Sequence, residues 1–229
     1  MKRTLAYAAL ASAAALGIAS LAHAELVLSQ VIVDLSPGKP PRGDIEVFND
    51  GQDRMYVSAE PFEIRGAGTP AEQRVPAGNP EVSGILVSPQ KLVLSPGARR
   101  TVRIAAVGER PAFDRVYRVA IKPVAGPITA SESALKVFIG YDALILFRPE
   151  QFAGDVVGER RARTLVLSNQ TNTAQELFDG RQCNAVGHDC RALPSKRLYA
   201  GNVWEQTPPF ETPVTYTTAA GPSVRQLHF

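Results

Sequence analysis

The stretch "ALKVFIGYDALILFRP", residues 134–149, is unusually apolar for a soluble protein. Its first half places apolar side chains at every second position, which is the period of a β-strand that presents one face. From Ala143 the alternation gives way to a continuous apolar run that stops at Arg148 and Pro149, and proline cannot donate a hydrogen bond to a neighbouring strand. The pattern predicts a long β-strand, which serves either the protein's own core or pairing with another chain.

Short strands separated by turn residues make up almost the whole chain after residue 25. "IEVFND" ends in the turn signal Asn49–Asp50–Gly51, and "ILVSPQKLVLSPGARRTVRIAAV" holds two strands around Ser95–Pro96–Gly97. No segment beyond the N-terminal 24 residues has the sustained helical period. Seven strands can be counted between Glu25 and Phe147, the number in an immunoglobulin-like sandwich. The sequence therefore predicts an all-β fold.

The first 24 residues have the layout of a cleaved secretory signal. Lys2 and Arg3 precede an Ala/Leu-rich segment that ends in Ala22-His23-Ala24, where a signal peptidase needs small residues. Without those two basic residues the formal net charge falls from +3 to +1, which does not favour a nucleic-acid partner. No later segment approaches the roughly 18 apolar residues of a membrane helix. We expect a mature protein that starts near Glu25, lies outside the cytoplasm and makes no stable membrane insertion.

The strand pattern restarts after Pro149 with shorter and fewer strands. We therefore predict a signal peptide over 1–24, a first domain over 25–148 and a smaller β domain over 149–229. The second domain contains both cysteines, Cys183 and Cys190, and two cysteines this close in an exported protein predict a local disulfide. His188 lies between them, but three ligands at this spacing make a poor metal site.

The sequence holds none of the common catalytic motifs. There is no G-x-S-x-G, H-E-x-x-H or phosphate-binding glycine loop, and the three histidines are poorly placed for a catalytic triad. We expect neither enzymatic activity nor a cofactor.

Several segments resemble the periplasmic pilus-assembly chaperones of the chaperone–usher pathway, and in particular their alternate, or α-type, subgroup. The similar segments are "LVSPQKLVLSPGARRTVRI", "DIEVFNDGQDRMYVSAE", "LVLSNQTN", the apolar stretch 134–149 that ends in "LFRP", and "LPSKRLYAGNVWEQTPPFETPVTY". The resemblance implies two immunoglobulin-like β-sandwich domains set at an angle in an L shape. It also implies a periplasmic chaperone that binds pilus subunits and delivers them to an outer-membrane usher.

In this family the chaperone lends the last strand of its first domain to a pilin that lacks one, by β-strand addition. The resemblance places the donor strand at about residues 133–147, with Leu135, Val137, Ile139 and Tyr141 as the subunit-binding row. Burying each side chain contributes about 1.5–3 kcal/mol before ordering costs are subtracted. The alternative is that this row lines the protein's own core. An exposed strand of this kind also allows self-association.

The chain departs from the family at the basic pair that binds the terminal carboxylate of the pilus subunit. The positions of that Arg and Lys fall near Gln30 and on Leu144. Arg118 and Lys122 are the candidate replacements, because a guanidinium can form two hydrogen bonds with a carboxylate. The alternative for both is a solvated sheet face.

Two further arginines are expected to have structural roles rather than to bind the subunit. We expect Arg148 to form an interdomain salt bridge and Arg103 to make a contact at a strand edge. The main alternative for the whole chain is a pilus structural subunit or another secreted β-sandwich adhesion or binding module. A small-molecule-binding protein is disfavoured because Trp204 stands alone, without an aromatic cluster.

Overall fold

A computed structural model describes residues 25–125 and 138–229, and the regular secondary structure there consists almost entirely of β-strands. A single short helix in these ranges, α1 (Pro80–Ser83), begins after Asn79, whose side chain accepts a hydrogen bond from the Glu81 amide at 3.0 Å. The strands described before residue 150 are β1 (Leu26–Leu28), β2 (Ile32–Leu35), β3 (Arg42–Asn49), β4 (Met55–Arg65), β5 (Gln73–Pro76), β6 (Ile85–Ser88), β7 (Lys91–Leu94), β8 (Arg99–Ala106), β9 (Arg115–Val124) and β10 (Tyr141–Phe147).

These strands form two sheets that enclose one core. The first sheet has the order β1-β3-β8-β6, and the second has the order β2-β10-β9-β4-β5, with β7 also paired to β4. All pairs are antiparallel except β2 with β10, which run parallel. Alternate side chains of both sheets point inward, and Ile45, Val102 and Ile121 among them are completely buried. This is the arrangement expected of a β-sandwich.

The described residues hold more strands in this half than the seven predicted. The segment expected to be one strand, 25–35, is divided: β1 pairs with β3 in one sheet, and β2 pairs with β10 in the other. Alternation of apolar residues continues through such a change of sheet, so the pattern does not reveal it. The Gly/Pro-rich segment 66–79, expected to be a loop, contains the edge strand β5, and an edge is where a strand tolerates Pro76.

The second half of the chain forms another sandwich. Its strands are β11 (Val156–Arg161), β12 (Thr164–Asn169), β13 (Gln175–Cys183), β14 (Cys190–Leu193), β15 (Lys196–Leu198), β16 (Val203–Gln206), β17 (Val214–Ala220) and β18 (Ser223–His228). One sheet has the order β11-β12-β16 and the other β14-β13-β17-β18, with β15 also on β13. Leu167, Leu177 and Tyr216 are fully buried between them. The predicted all-β fold of two sandwiches is confirmed.

The two sandwiches are in direct contact. Leu144 and Leu146 of β10 pack with Ile64, Val116 and Ala174 in a small apolar cluster that includes residues of both halves. Across the same junction, the Asn202 side chain donates a hydrogen bond to the Ala67 carbonyl oxygen at 3.1 Å. No helix within residues 25–125 or 138–229 is long and apolar enough to span a membrane.

Candidate functional site

Among the described strands, β10 has a neighbour on both sides only along its second half. β9 runs beside it from Tyr141 to Phe147, whereas β2 covers it only from Leu144 onward. Within the described ranges, the stretch Tyr141–Ala143 therefore has a strand on one side and an open backbone edge on the other. Unpaired N–H and C=O groups on such an edge are a template for pairing with another polypeptide.

Along one face of β10, the side chains are buried in the core of the first sandwich at the end of the strand and exposed to solvent just before its start. Ala143, Ile145 and Phe147 are at most 1% exposed and belong to the first core. Tyr141 is partly buried at the rim of that core, and its hydroxyl donates a hydrogen bond to the Leu26 carbonyl oxygen at 3.0 Å. Two residues earlier, Ile139 is 67% exposed. Of the predicted subunit-binding row, Tyr141 thus packs against its own domain, as the alternative interpretation of the row requires, and Ile139 projects from it.

Two members of the predicted row, Leu135 and Val137, lie outside the described residues. Gly140, between Ile139 and Tyr141, lies directly against the end of β9. A Cβ atom on Gly140 would come within 2.7 Å of the Lys122 Cβ atom and 3.1 Å of the Ile121 carbonyl oxygen. The absence of a side chain at this position allows the chain to run close to β9 as it enters β10.

The continuous apolar run from Ala143 has a structural explanation. The residues that alternate with the core row, Leu144 and Leu146, are buried in the cluster between the two sandwiches. Both faces of this part of β10 are therefore covered by protein, which favours apolar residues at every position. The run serves the protein's own interior, while the alternating part before it includes the exposed Ile139.

The candidate carboxylate anchors, Arg118 and Lys122, lie on the outer face of the second sheet. The Arg118 Nη1 atom donates to the Asp142 carbonyl oxygen at 3.1 Å, and its Nε atom is 3.8 Å from the Asp142 carboxylate. The Lys122 ammonium group donates to Glu60 at 3.0 Å, and this hydrogen bond lowers the pKa of the Glu60 carboxyl. Both basic groups are partly exposed and already have acidic partners within the protein.

The positions that lack the family's basic pair are occupied differently. Gln30 donates its side-chain amide to the Asp44 carbonyl oxygen on β3 at 2.8 Å. Leu144 is 3% exposed, and its neighbours in the register are Ile32 on β2 and Arg118 on β9. The basic group nearest in register to the missing lysine is therefore Arg118.

A third basic residue on this face, Arg74, was not found from the sequence. Its guanidinium forms two hydrogen bonds with the Asp142 carboxylate, at 2.7 and 3.0 Å, and lies 4.2 Å from the centre of the Phe62 ring. Arg74 belongs to β5, inside the segment expected to be a loop. The only signal in the sequence is the short run "QRVP", which is too brief to identify a strand.

Arg148 lies where the two sandwiches meet and is 3% exposed. Its guanidinium contacts Asp34 at 2.7 Å and Asp114 at 3.5 Å, and both carboxylates belong to the first sandwich. Across the junction it donates to the Thr173 hydroxyl at 2.6 Å and to the Ala174 carbonyl oxygen at 2.9 Å. The contacts to the second sandwich are hydrogen bonds to neutral groups, which differs from the predicted interdomain salt bridge.

Asp114 of the first sandwich contacts the same two residues of the second sandwich as Arg148 does. Its carboxylate accepts hydrogen bonds from the Ala174 amide at 2.6 Å and the Thr173 hydroxyl at 2.7 Å. Burial raises the pKa of the Asp114 carboxyl, and these hydrogen bonds and the charge of Arg148 only partly oppose that effect.

The remaining predicted residues are found on the outer surface. Arg103 forms two hydrogen bonds with Asp44 on the neighbouring strand β3, at 2.7 and 2.8 Å. Cys183 and Cys190 face each other across β13 and β14 and form the predicted disulfide, which is confirmed. In the described ranges, no three His, Cys, Asp or Glu side chains come together as metal ligands.

No protein-family model matches the chain. A protein of Escherichia coli whose name describes it as a CFA/I fimbrial subunit is 25% identical over 194 residues, which are 81% of this chain and 79% of that protein. A second E. coli protein, whose name describes it as a CS1 fimbrial subunit, is 25% identical over 172 residues, 70% of this chain and 72% of that protein.

Solved structures match a larger part of this chain than these two relatives do. The crystal structure of the class 5 fimbriae chaperone CfaA superposes with a TM-score of 0.66 and 21% identity, over 89% of this chain and 98% of that one. This chain has the fold of the fimbrial chaperones. The chaperone SafB in complex with the Salmonella enterica pilin SafA has a TM-score of 0.62 and 15% identity, over 92% of this chain and 98% of that one.

Proposed function

We propose that this protein is a periplasmic chaperone that binds pilus subunits by β-strand addition and hands them to an outer-membrane usher. The observation that supports this most directly is the exposed Ile139, which extends the apolar face of β10 beyond the core of the first sandwich. The fold shared with fimbrial chaperones supports the same function. The proposal includes export by the signal at 1–24 and a division of the mature chain into domains 25–148 and 149–229.

The proposed mechanism needs no catalytic group. A pilin with an incomplete sandwich takes up the chaperone's strand at the open edge before Leu144 in place of the strand that it lacks, and gains backbone hydrogen bonds that do not depend on its sequence. Ile139 enters the apolar groove of the pilin, together with Leu135 and Val137, which we assign to the same row. Tyr141 stays at the rim of the chaperone's own core, where its hydroxyl is already bonded to Leu26. Burial of the apolar row stabilises the complex, since each side chain contributes about 1.5–3 kcal/mol.

The partly exposed Arg118 and Lys122 lie beside this edge, and we propose that they attract an acidic group of the bound pilin. Because both are paired with carboxylates in the free protein, their contribution depends on exchanging one acidic partner for another.

A pilus structural subunit is the second candidate, because both E. coli relatives carry the name of a fimbrial subunit. The chain favours the chaperone for a structural reason. Each half encloses its own buried core, whereas the pilins of this pathway have one sandwich that lacks a strand.

The test is co-expression with candidate secreted pilins, followed by purification through a tag on this protein. We expect the wild type to retain a pilin and Ile139→Asp to lose it, because a charge cannot enter an apolar groove without a large penalty. Val186→Asp is the matched control, since Val186 is 71% exposed in the second half of the chain and should not affect capture. Circular dichroism confirms that each variant is folded. Capture that survives Ile139→Asp contradicts the proposed function, and so does a wild-type chain that polymerises with copies of itself and retains no pilin.

A further inference from the structure

The end of the second sandwich that faces the first contains a polar cavity. The cavity has a volume of about 170 Å³ and lies between the connecting segment 150–155 and the ends of β13, β17 and β18. One water molecule needs only about 10–15 Å³ of such space, so the cavity has room for a small organic molecule. The residues that line it all follow Pro149 in the chain, which separates the cavity from the open edge of β10.

The inward rows of three neighbouring strands change from apolar to polar as they approach this end. On β13 the inward Leu177 is followed towards the junction by Gln175, and on β17 Tyr216 is followed by Thr218. Arg225 of β18 lies opposite Thr218. Gln175 and Thr218 are only 5% and 1% exposed, and burying polar side chains costs free energy unless they are hydrogen-bonded. Core packing alone therefore does not explain why these rows become polar.

The buried Gln175 amide keeps hydrogen-bonding capacity towards the cavity. Its carbonyl oxygen accepts a hydrogen bond from the Thr218 hydroxyl at 2.9 Å, and its nitrogen donates to the Thr171 hydroxyl at 3.4 Å, which is longer than a good N–H···O bond. An amide NH₂ group has two N–H donors, so a second donor remains for a molecule in the cavity. The Thr218 oxygen remains an acceptor, because its own hydrogen is directed at Gln175. The buried wall thus offers a donor and an acceptor side by side.

The mouth of the cavity adds further polar groups without adding net charge. The Arg225 guanidinium forms an ion pair with Asp155 at 2.7 Å, so the two charges cancel. The Ser223 hydroxyl lines the same mouth and is able both to donate and to accept. Because donors and acceptors are present together and the net charge is zero, the lining favours neutral groups that do both, namely hydroxyl groups.

Another wall of the cavity is apolar and belongs to the connecting segment. Phe152 and Ala153 line it, and the next residue, Gly154, has a φ of +85°. A Cβ atom on Gly154 would collide with the Gln170 carbonyl oxygen, so only glycine allows the segment to pack directly against the turn after β12. Apolar surface combined with a few placed polar groups is the usual lining of a small-molecule site.

We propose that this cavity binds a small neutral molecule with several hydroxyl groups, a polyol or a monosaccharide. Its hydroxyl groups bond to Gln175, Thr218 and Arg225, and its C–H groups contact Phe152. The site lies beside the junction, since Gly221, directly after the lining residue Ala220, packs against the Ser36 side chain of the first sandwich. A ligand that binds only the folded protein also stabilises it. The inference goes beyond the proposed function and does not depend on it.

The experiment is a titration of the purified, ¹⁵N-labelled protein with glycerol, sorbitol and glucose, followed by NMR in the absence of any pilin. The side-chain NH₂ signals of Gln175, assigned from their loss in Gln175→Glu, report directly on the cavity. We expect at least one of the three compounds to shift these signals along a saturable curve, with a Kd on the order of 1–10 mM. Because no pilin is present, failure of this test leaves the proposed function untouched.

A matched pair of variants locates the binding site. Ser223 lines the mouth of the cavity and is itself exposed, and its neighbour Val224 is 62% exposed on the other face of β18. Ser223→Phe places a ring in the mouth, so we expect it to raise the Kd by about tenfold or more. Val224→Phe adds the same ring away from the cavity and should leave the Kd unchanged. Circular dichroism confirms that both variants are folded.

Three results would overturn the proposal. If none of the three compounds gives a saturable shift of the Gln175 signals below about 50 mM, the cavity holds water only. Equal Kd values for Ser223→Phe and Val224→Phe would place the binding elsewhere on the protein. Shifts produced by sodium phosphate or sodium acetate, but by none of the polyhydroxyl compounds at the same ionic strength, would make the cavity an anion site formed by Arg225.

Discussion

Asn49 in the first sandwich and Asn169 in the second occupy equivalent positions, at the ends of β3 and β12. Each donates two hydrogen bonds to backbone carbonyl oxygens, one four residues later and one on a distant strand end, Leu94 or Leu198. Each also accepts a hydrogen bond from the amide two residues later. Both are fully buried or nearly so. In both halves, therefore, an asparagine side chain satisfies the backbone groups of a buried strand end that is followed by a turn.

The halves differ in how their last strands end. In the second sandwich β18 is the outermost strand of its sheet, it is paired with β17 along its length, and Phe229 continues that pairing through two hydrogen bonds with Val214, at 2.8 and 2.9 Å. In the first sandwich the core row of β10 continues to the exposed Ile139, beside a backbone edge that β2 leaves open. The difference favours the first sandwich as the location of the proposed binding function, with the second in a supporting role.

The largest effect on stability is expected where the two halves meet. Arg148→Met leaves the carboxylates of Asp34 and Asp114 without their buried cation, and breaking a buried pair in this way costs about 3–5 kcal/mol. Chemical denaturation followed by circular dichroism measures the loss. Arg103→Met is the control, because Arg103 also forms two hydrogen bonds with a carboxylate but lies in solvent, and we expect it to change the unfolding free energy far less. Similar losses in the two variants would contradict a special role for the junction.

Replacing the two buried asparagines tests whether the halves are equivalent. Asn49→Ala and Asn169→Ala each leave buried backbone groups without a partner, so each should reduce the unfolding free energy by about 2–4 kcal/mol. Thermal denaturation should show losses of similar size. Asn79→Ala, which removes a cap from the exposed start of α1, should cost about 1 kcal/mol. A strong effect at Asn49 with a weak one at Asn169 would show that the likeness is only geometric.

The sequence predicted the general architecture of the two halves but not which strands and side chains come together within them. Alternating strands and turn residues were enough for an all-β fold with a second, smaller β domain, the resemblance to the chaperones implied that both are sandwiches, and the cysteine spacing was enough for the disulfide. Which sheet a strand joins depends on contacts far away in the chain, so the division of 25–35 between two sheets was missed. Arg74 was missed for the same reason, since its partner Asp142 is 68 residues away and its strand is very short.

The disulfide is a feature of the second sandwich, and its removal should affect stability without affecting capture. Cys183→Ser with Cys190→Ser opens a loop with a sequence separation of 7, and the loss of that constraint on the unfolded chain is worth about 2–3 kcal/mol. We expect a lower midpoint in urea and an unchanged yield of co-purified pilin. A fall in pilin yield at a temperature where the variant is fully folded would instead mean that the β13–β14 hairpin takes part in pilin binding.

The smallest expected effect is a dependence of the junction on pH. Burial raises the pKa of Asp114 in the folded protein above that of the unfolded chain, so the folded state takes up a proton at a higher pH than the unfolded state. As the pH falls from 7 towards 4, this group alone makes the folded state more stable, because the folded state binds more protons in that window. Asp44, Glu60 and Glu159 have lowered pKa values and act in the opposite direction, so the total profile does not isolate Asp114.

The difference in unfolding free energy between the wild type and Asp114→Asn does isolate this carboxyl. We expect that difference to shift in favour of the wild type as the pH is lowered, because only the wild type gains a proton at the junction. Urea denaturation at a series of pH values measures it. A constant difference would mean that the effect of burial is fully offset at the junction, and a shift towards the variant in acid would mean that the charged carboxylate is the preferred form there. Arg148 would then stabilise Asp114 more than burial destabilises it.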